Sequence, residues 1–354
     1  DDIDLKQLST AQVGALGAAA LSGATTAKIA AIETNQIAGL TVSQIKAMTT
    51  DQVKALTSTQ FAQLNATQIA AFSSAQISAI DTEDLNNLGS AQISAISAAQ
   101  VSGLTTLQVN KLGATQIAGL TAAQLNNLSS AQIEKFSTAG LNQLSTTQIS
   151  SLSAAALSNV STAQIRAIGT SALQGLSANQ IKALTTSQIS NLTSSQVYNL
   201  TNTQISSLTS SQIANLKTEN FAYISTAQAG WNSNQIKALA PTQVGSFTTT
   251  QIRNLGSDQL RALTGDQIKA LTTSQVAALS DTQAQNLSTS QVSALTAKQL
   301  GAIDSQDLQA LTTDQIGALS ADQLSGLTTL QVKQLTSSQM SGLTAAQLGK
   351  LSSA

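Results

Sequence analysis

An eight-residue repeat, L-[ST]-x-x-Q-[IVL]-x-x, recurs along the whole sequence and leaves few folds open to it. Leu184-Thr185-Thr186-Ser187-Gln188-Ile189-Ser190-Asn191 is followed directly by Leu192-Thr193-Ser194-Ser195-Gln196-Val197-Tyr198-Asn199. With the leucine as position 1, 28 repeats begin at Leu8 and step by eight to Ile224. The repeat at Ile224 has seven residues, the register resumes at Trp231, and 15 more repeats run to Leu343. A partial repeat lies at each end, and no stretch is left for a linker or a second kind of domain. The expectation is a single continuous solenoid over residues 1–354, with a register break at 224–231. Such arrays build quasi-one-dimensional structures in which each repeat packs on its neighbours.

The repeat cannot be one long helix. Eight residues at 100° each turn the apolar face by about 80° per repeat. A strand fits no better, because positions 1 and 6 fall on opposite faces of a pleated chain. A short capped helix suits every position. Leucine at position 1 precedes a Ser or Thr N-cap at position 2, glutamine at position 5 is the third helical residue, and Ile or Val at position 6 is the fourth. That is a capping box with a hydrophobic staple in each repeat. Position 2 is Ser, Thr, Asn, Asp or Gly in 40 of the 43 repeats, with Glu33, Lys217 and Ala240 departing, and position 5 is Gln in 35. Asn and Gly, common at position 8, are expected to end the helix in the left-handed conformation. Two further features agree. The single proline, Pro241, falls on the first helical position, which accepts it. Of 17 acidic residues 16 lie at positions 2–5, and of 16 basic residues 13 lie at positions 7 or 8, the polarity a helix dipole favours. The fold class expected is therefore all-α: a solenoid of very short capped helices, one per repeat, forming an elongated rod. Two or three repeats per layer fit, and no longer period of 16 or 24 residues stands out.

The composition excludes much chemistry. There is no His and no Cys, so no Ser-His-Asp triad, no Cys-His pair and no imidazole or thiolate metal site is available. No glycine-rich phosphate loop appears. The reading is of no enzyme, no catalytic residue and no cofactor. Asp1, Asp2 and Asp4, and Asp81 with Glu83 and Asp84, are the only acidic groupings that suggest calcium; they lack the EF-hand spacing and occupy helix-start positions, so no metal site is assigned. A net charge of −1 gives no electrostatic reason to expect nucleic acid or an anionic membrane as partner. No apolar run approaches the roughly 18 residues of a membrane span.

Residues 216–247 are the irregular stretch. They hold the seven-residue repeat, the weak caps Lys217 and Ala240, Pro241, and four of the eight aromatic residues, Phe221, Tyr223, Trp231 and Phe247. Either these side chains fill space left by the missing residue, or the five residues Phe221, Tyr223, Trp231, Pro241 and Phe247 form an assembly contact patch.

Runs of L-T-x-x-Q-I-x-x resemble the octapeptide-repeat tracts of large bacterial cell-surface, adhesin-like proteins. The resemblance covers the whole chain. It implies export and an extracellular, cell-surface setting, with cell-surface glycans as further partners. The first and last repeats look like interior ones, which leads to the expectation that the chain continues or that copies stack end to end. The function expected is a structural subunit of an extracellular filament, sheath or surface layer whose partner is itself, a homopolymer. The alternatives are the stalk of a giant adhesin and a module binding ice or polysaccharide through rows of Ser and Thr.

Overall fold

The computed structural model describes residues 5–224 and 230–351. The chain forms two compact units, Asp1–Leu184 and Thr185–Ala354, and in the sequence the repeat passes from one to the other without a step. Each unit is built in the same way. Among the described residues forty short α-helices and three 3₁₀ turns follow one another, and no strand occurs.

The helices start as the repeat dictates. In Gly265–Ala270 the Thr264 hydroxyl accepts from the Gln267 N–H (3.3 Å), and Gln267 Oε1 accepts from the Thr264 N–H (2.8 Å). Both halves of this capping box recur through each compact unit. Where position 2 has no oxygen to offer, the glutamine half remains: the N–H groups of Gly113 and Ala240 still donate to Gln116 and Gln243 Oε1 (2.9 and 2.7 Å). Two of the three departures at position 2 change the local structure. The repeats with Glu33 and Lys217 there wind as 3₁₀ turns, Ile37–Gly39 and Thr218–Tyr223. At Ala240 the first helical residue is Pro241, and an α-helix forms. Proline's fixed φ preorganises that position.

Three repeats make one turn of the coil. Helix Ala114–Ala118 packs on Thr138–Gln143, and Pro241–Gly245 packs on Gly265–Ala270, each pair being three repeats apart. Hydrogen bonds keep the same step: Ser74 Oγ donates to Ala99 O (3.2 Å) and Thr146 Oγ1 to Ser171 O (3.1 Å), 25 residues on in both cases. Each turn therefore points six apolar anchors inward, three from position 1 and three from position 6. Position 6 lies deepest, Ile69, Ile77, Val109, Ile236 and Ile316 being wholly enclosed, with Leu64, Leu88 and Leu319 of position 1 buried around it. Burying an aliphatic side chain is worth about 1.5–3 kcal/mol. This is what holds helices of four to seven residues that would not form alone in water.

The left-handed ending expected of Asn and Gly at position 8 does not occur. No described residue has a positive φ; Asn191 and Gly119 close their helices at φ −97° and −77°, and the next leucine takes the chain into the extended region. The helices close on backbone bonds from the residue that opens the next repeat, Leu120 N–H to Ile117 O and Leu192 N–H to Ile189 O (both 3.2 Å), and glutamines of the next turn add donors to many of these ends. Glycine at position 8 answers to crowding instead. A Cβ on Gly103 would lie 2.8 Å from Ser74 O and 2.9 Å from Ser74 Cβ, and one on Gly119 would lie 2.9 Å from Ser90 Cβ. In both cases the neighbour is position 3 of the repeat three before.

Candidate functional site

The repeated site of this chain is the junction between successive turns, and glutamine at position 5 forms it. Its Oε1 is held by the N-cap amide of its own helix, which aims Nε2 at the preceding turn. Gln44 Nε2 donates to Val13 O (2.7 Å) and Leu16 O (3.0 Å). Gln124 donates to Ile93 O (2.7 Å) and Ile96 O (2.5 Å). Gln267 donates to Ile236 O (2.9 Å) and Leu239 O (2.7 Å), and Gln339 to Leu308 O (2.9 Å) and Leu311 O (2.8 Å). In each of these the acceptors flank the end of one helix and the leucine that opens the next. The position 6 carbonyl already accepts the N–H of the residue three on, as Val13 O does from Leu16 (3.3 Å) and Ile236 O from Leu239 (3.2 Å), so glutamine adds a second donor at each of these helix ends. One buried amide thus serves a helix start and a helix end, its oxygen and its NH₂ group both engaged in a place where an unmet polar group is costly. The capping box alone would accept Glu; the need to donate on the other side is met only by Gln.

Three of the eight repeats without Gln at position 5 carry Asp or Asn there, namely Asp84, Asn220 and Asp307. A side chain one methylene shorter no longer reaches the preceding carbonyls and meets position 3 of the turn before. Ser58 Oγ donates to Asp84 Oδ1 (2.5 Å) and Ser194 Oγ to Asn220 Oδ1 (3.0 Å), each 26 residues apart. At the third such place the partner is Asp281, also 26 residues before Asp307, so two carboxyl groups meet. Burial, the hydrogen bond to Asp281, and the charges of Asp281 and Asp304 push the Asp307 carboxyl up to about 7, with Arg253 opposing them. Burial also raises Asp84; the Ser58 hydroxyl counters this, while Asp81 and Glu83 add to it.

The acidic groupings considered for calcium divide. Asp1, Asp2 and Asp4 lie outside the described residues. Asp84 is turned inward to Ser58, while Asp81 and Glu83 line a shallow groove with Lys54 and Leu107. Among the described residues no three acidic groups are disposed to hold a metal, and no helix is long and apolar enough to cross a membrane.

The five residues of the irregular stretch are not brought together on one surface. Phe221, Trp231 and Phe247 are buried and stack on one another, with ring centroids 5.5–5.9 Å apart. They fill the core where Leu or Ile stands in other repeats. Pro241 is exposed at the start of its helix, and Tyr223 is half exposed. Sequence reasoning passed over Tyr198, which lies beside Tyr223 at the surface; the signal was a second tyrosine three repeats earlier, uninformative until the turn was known to hold three repeats.

Fold and junction together define a helical-repeat solenoid whose turns are locked by glutamine. The ALTTAQ repeat model matches residues 29–66, 77–114, 157–194, 236–273 and 300–337, more than half of the chain, and the chain belongs to that repeat family. All five matches open on position 6, at Ile29, Ile77, Leu157, Ile236 and Leu300. No curated protein matches the chain.

Proposed function

We propose that the chain is a structural protein: a subunit of an extracellular filament, sheath or surface layer of a bacterial cell, assembled from copies of itself, with cell-surface glycans as further partners. One observation carries this reading. The junction between turns is polar in direction along each compact unit, and glutamine at position 5 faces its Nε2 donor backward to carbonyl acceptors of the turn before, as at Gln44, Gln124, Gln267 and Gln339. A head-to-tail contact between copies that uses this donor-and-acceptor polarity and does not close on itself generates an open filament. Lateral contact has support too. Leu107 and Leu330, at position 4 of two identical L-T-T-L-Q-V repeats, are each 60% exposed, and large exposed apolar groups favour association. The placement outside a bacterial cell rests on the resemblance of the repeats to surface-protein tracts.

Negative-stain electron microscopy of the purified chain over a concentration series tests the reading. Filaments of uniform width that lengthen with concentration are expected. Single short particles at every concentration would contradict assembly and would suit a spacer within a longer adhesin.

A further inference from the structure

Six of the eight aromatic side chains, Phe61, Phe72, Phe136, Phe221, Trp231 and Phe247, are buried. The other two are the tyrosines. Tyr198 is 61% and Tyr223 50% exposed, and both line one groove of about 270 Å³ with Ser194, Ser195 and Asn199. They come from different turns: Tyr198 ends helix Ser194–Tyr198, Tyr223 ends the 3₁₀ turn Thr218–Tyr223, and these two elements pack on each other. Positions 7 and 8 elsewhere carry mostly Ala, Ser, Asn, Gly or Lys. Two tyrosines at that edge, in adjacent turns and at one groove, place aromatic area in water.

We propose that this groove binds a neutral polysaccharide, the tyrosine rings stacking on the apolar faces of sugar rings while Ser194, Ser195 and Asn199 meet their hydroxyls. Tyrosine supplies a rigid apolar face with a polar tip and loses little conformational entropy on binding. The polar groups are set in place by the fold. Ser194 Oγ donates to the buried Asn220 Oδ1 (3.0 Å), which orients its lone pairs to accept from a ligand hydroxyl. Asn199 Nδ2 donates to Ser195 O (2.8 Å), which orients the amide. No charged side chain lines the groove, so nothing there selects an anionic polymer. The volume, about 270 Å³, lies below that of ligand clefts, about 300–1,000 Å³, and the groove is open. Both features suit a short stretch of a long chain lying across the surface better than an enclosed small molecule. The inference deepens the glycan part of the proposed function and is independent of filament formation.

The test is co-sedimentation of the full-length chain with microcrystalline cellulose, with chitin and with an insoluble mixed-linkage β-glucan, beside soluble alginate as the anionic comparison in affinity electrophoresis. Binding to at least one neutral polymer is expected. Tyr198→Ala and Tyr223→Ala should each weaken it at least tenfold, while Tyr198→Phe and Tyr223→Phe stay within about threefold of the parent. Both sites are exposed, so the far-UV circular dichroism of all four variants should match the parent. No binding to any neutral polymer, or alanine variants that bind as the parent does, would overturn the proposal; so would capture of alginate alone. Microscopy of the same variants separates the two readings: filaments that persist without polysaccharide binding leave the structural role standing and remove only the groove.

Discussion

Replacing one ladder glutamine by glutamate isolates what holds the turns together. Gln267 is 1% exposed. In Gln267→Glu the side chain keeps its length and its acceptor for the Thr264 N–H, so the capping box survives. The two donations to Ile236 O and Leu239 O are lost, and a carboxylate oxygen is set against two carbonyl oxygens. Each hydrogen bond is worth about 1 kcal/mol net, and a buried group left unmatched costs about 1–3 kcal/mol. An uncompensated buried charge raises the total to about 3–5 kcal/mol. The new carboxyl should have its pKa raised by burial and by the carbonyls. Its folded form then holds a proton that the unfolded chain has lost above about pH 4.3, so the variant should regain stability as pH falls and lose it as pH rises. Urea unfolding followed by circular dichroism gives the global effect. Native-state hydrogen exchange over residues 232–271 gives the local one, which in a nearest-neighbour solenoid should centre on the turns that Gln267 joins. Stability within about 0.5 kcal/mol of the parent at pH 7, or a loss that does not change with pH, would refute the ladder as the source of cohesion.

Two other substitutions probe neighbouring features. Gly103→Val should cost about 1–3 kcal/mol by forcing apart two turns that touch at Ser74, measurable as a lower urea midpoint, whereas Gly17→Ala, where a Cβ meets nothing within 4 Å, should change little. The Asp307 carboxyl, raised from 3.8 to about 7, keeps a proton in the folded chain that the unfolded chain releases. Stability should therefore fall as pH rises from about 4 to about 7 and level off above. In Asp307→Gln the ladder is restored toward Val276 O and Leu279 O, and thermal melts between pH 4 and 8 should show a higher midpoint at pH 7 with the Asp307-dependent slope removed.

Much of this fold is written in one repeat. The leucine, the Ser or Thr and the glutamine fix where each helix starts; the repeats with Glu33 and Lys217 at the cap wind as 3₁₀ turns, whereas those with Gly113 and Ala240 there keep an α-helix. The number of repeats per turn is not written there, because near-identical repeats carry no 24-residue modulation; it emerges from contacts such as Thr146 with Ser171. Glutamine's second role is hidden for a related reason. A capping box accounts for the Oε1 of Gln267 and gives no cause to ask where Nε2 goes. The glycines at position 8 mislead in their own way: Gly103 fits the usual reason for glycine after a helix, yet its backbone has no positive φ and the constraint is the neighbouring turn. Of the candidate site, the aromatic excess near Trp231 was visible, but its division into a buried cluster and an exposed Tyr223 depends on which face each repeat turns inward.

Three repeats per turn is the claim on which the ladder, the glycine contacts and the tyrosine groove all rest. The chain has no cysteine, so an engineered pair reports without competing thiols. A Cβ on Gly265 would sit 3.4 Å from Ala294 Cβ, close to the roughly 3.5–4.5 Å of a disulfide. The double variant Gly265→Cys with Ala294→Cys should close a disulfide under mild oxidation, scored by loss of free thiol, while Gly265→Cys with Asn286→Cys, set two repeats apart, should stay reduced. Closure of the second pair in place of the first would contradict the three-repeat turn.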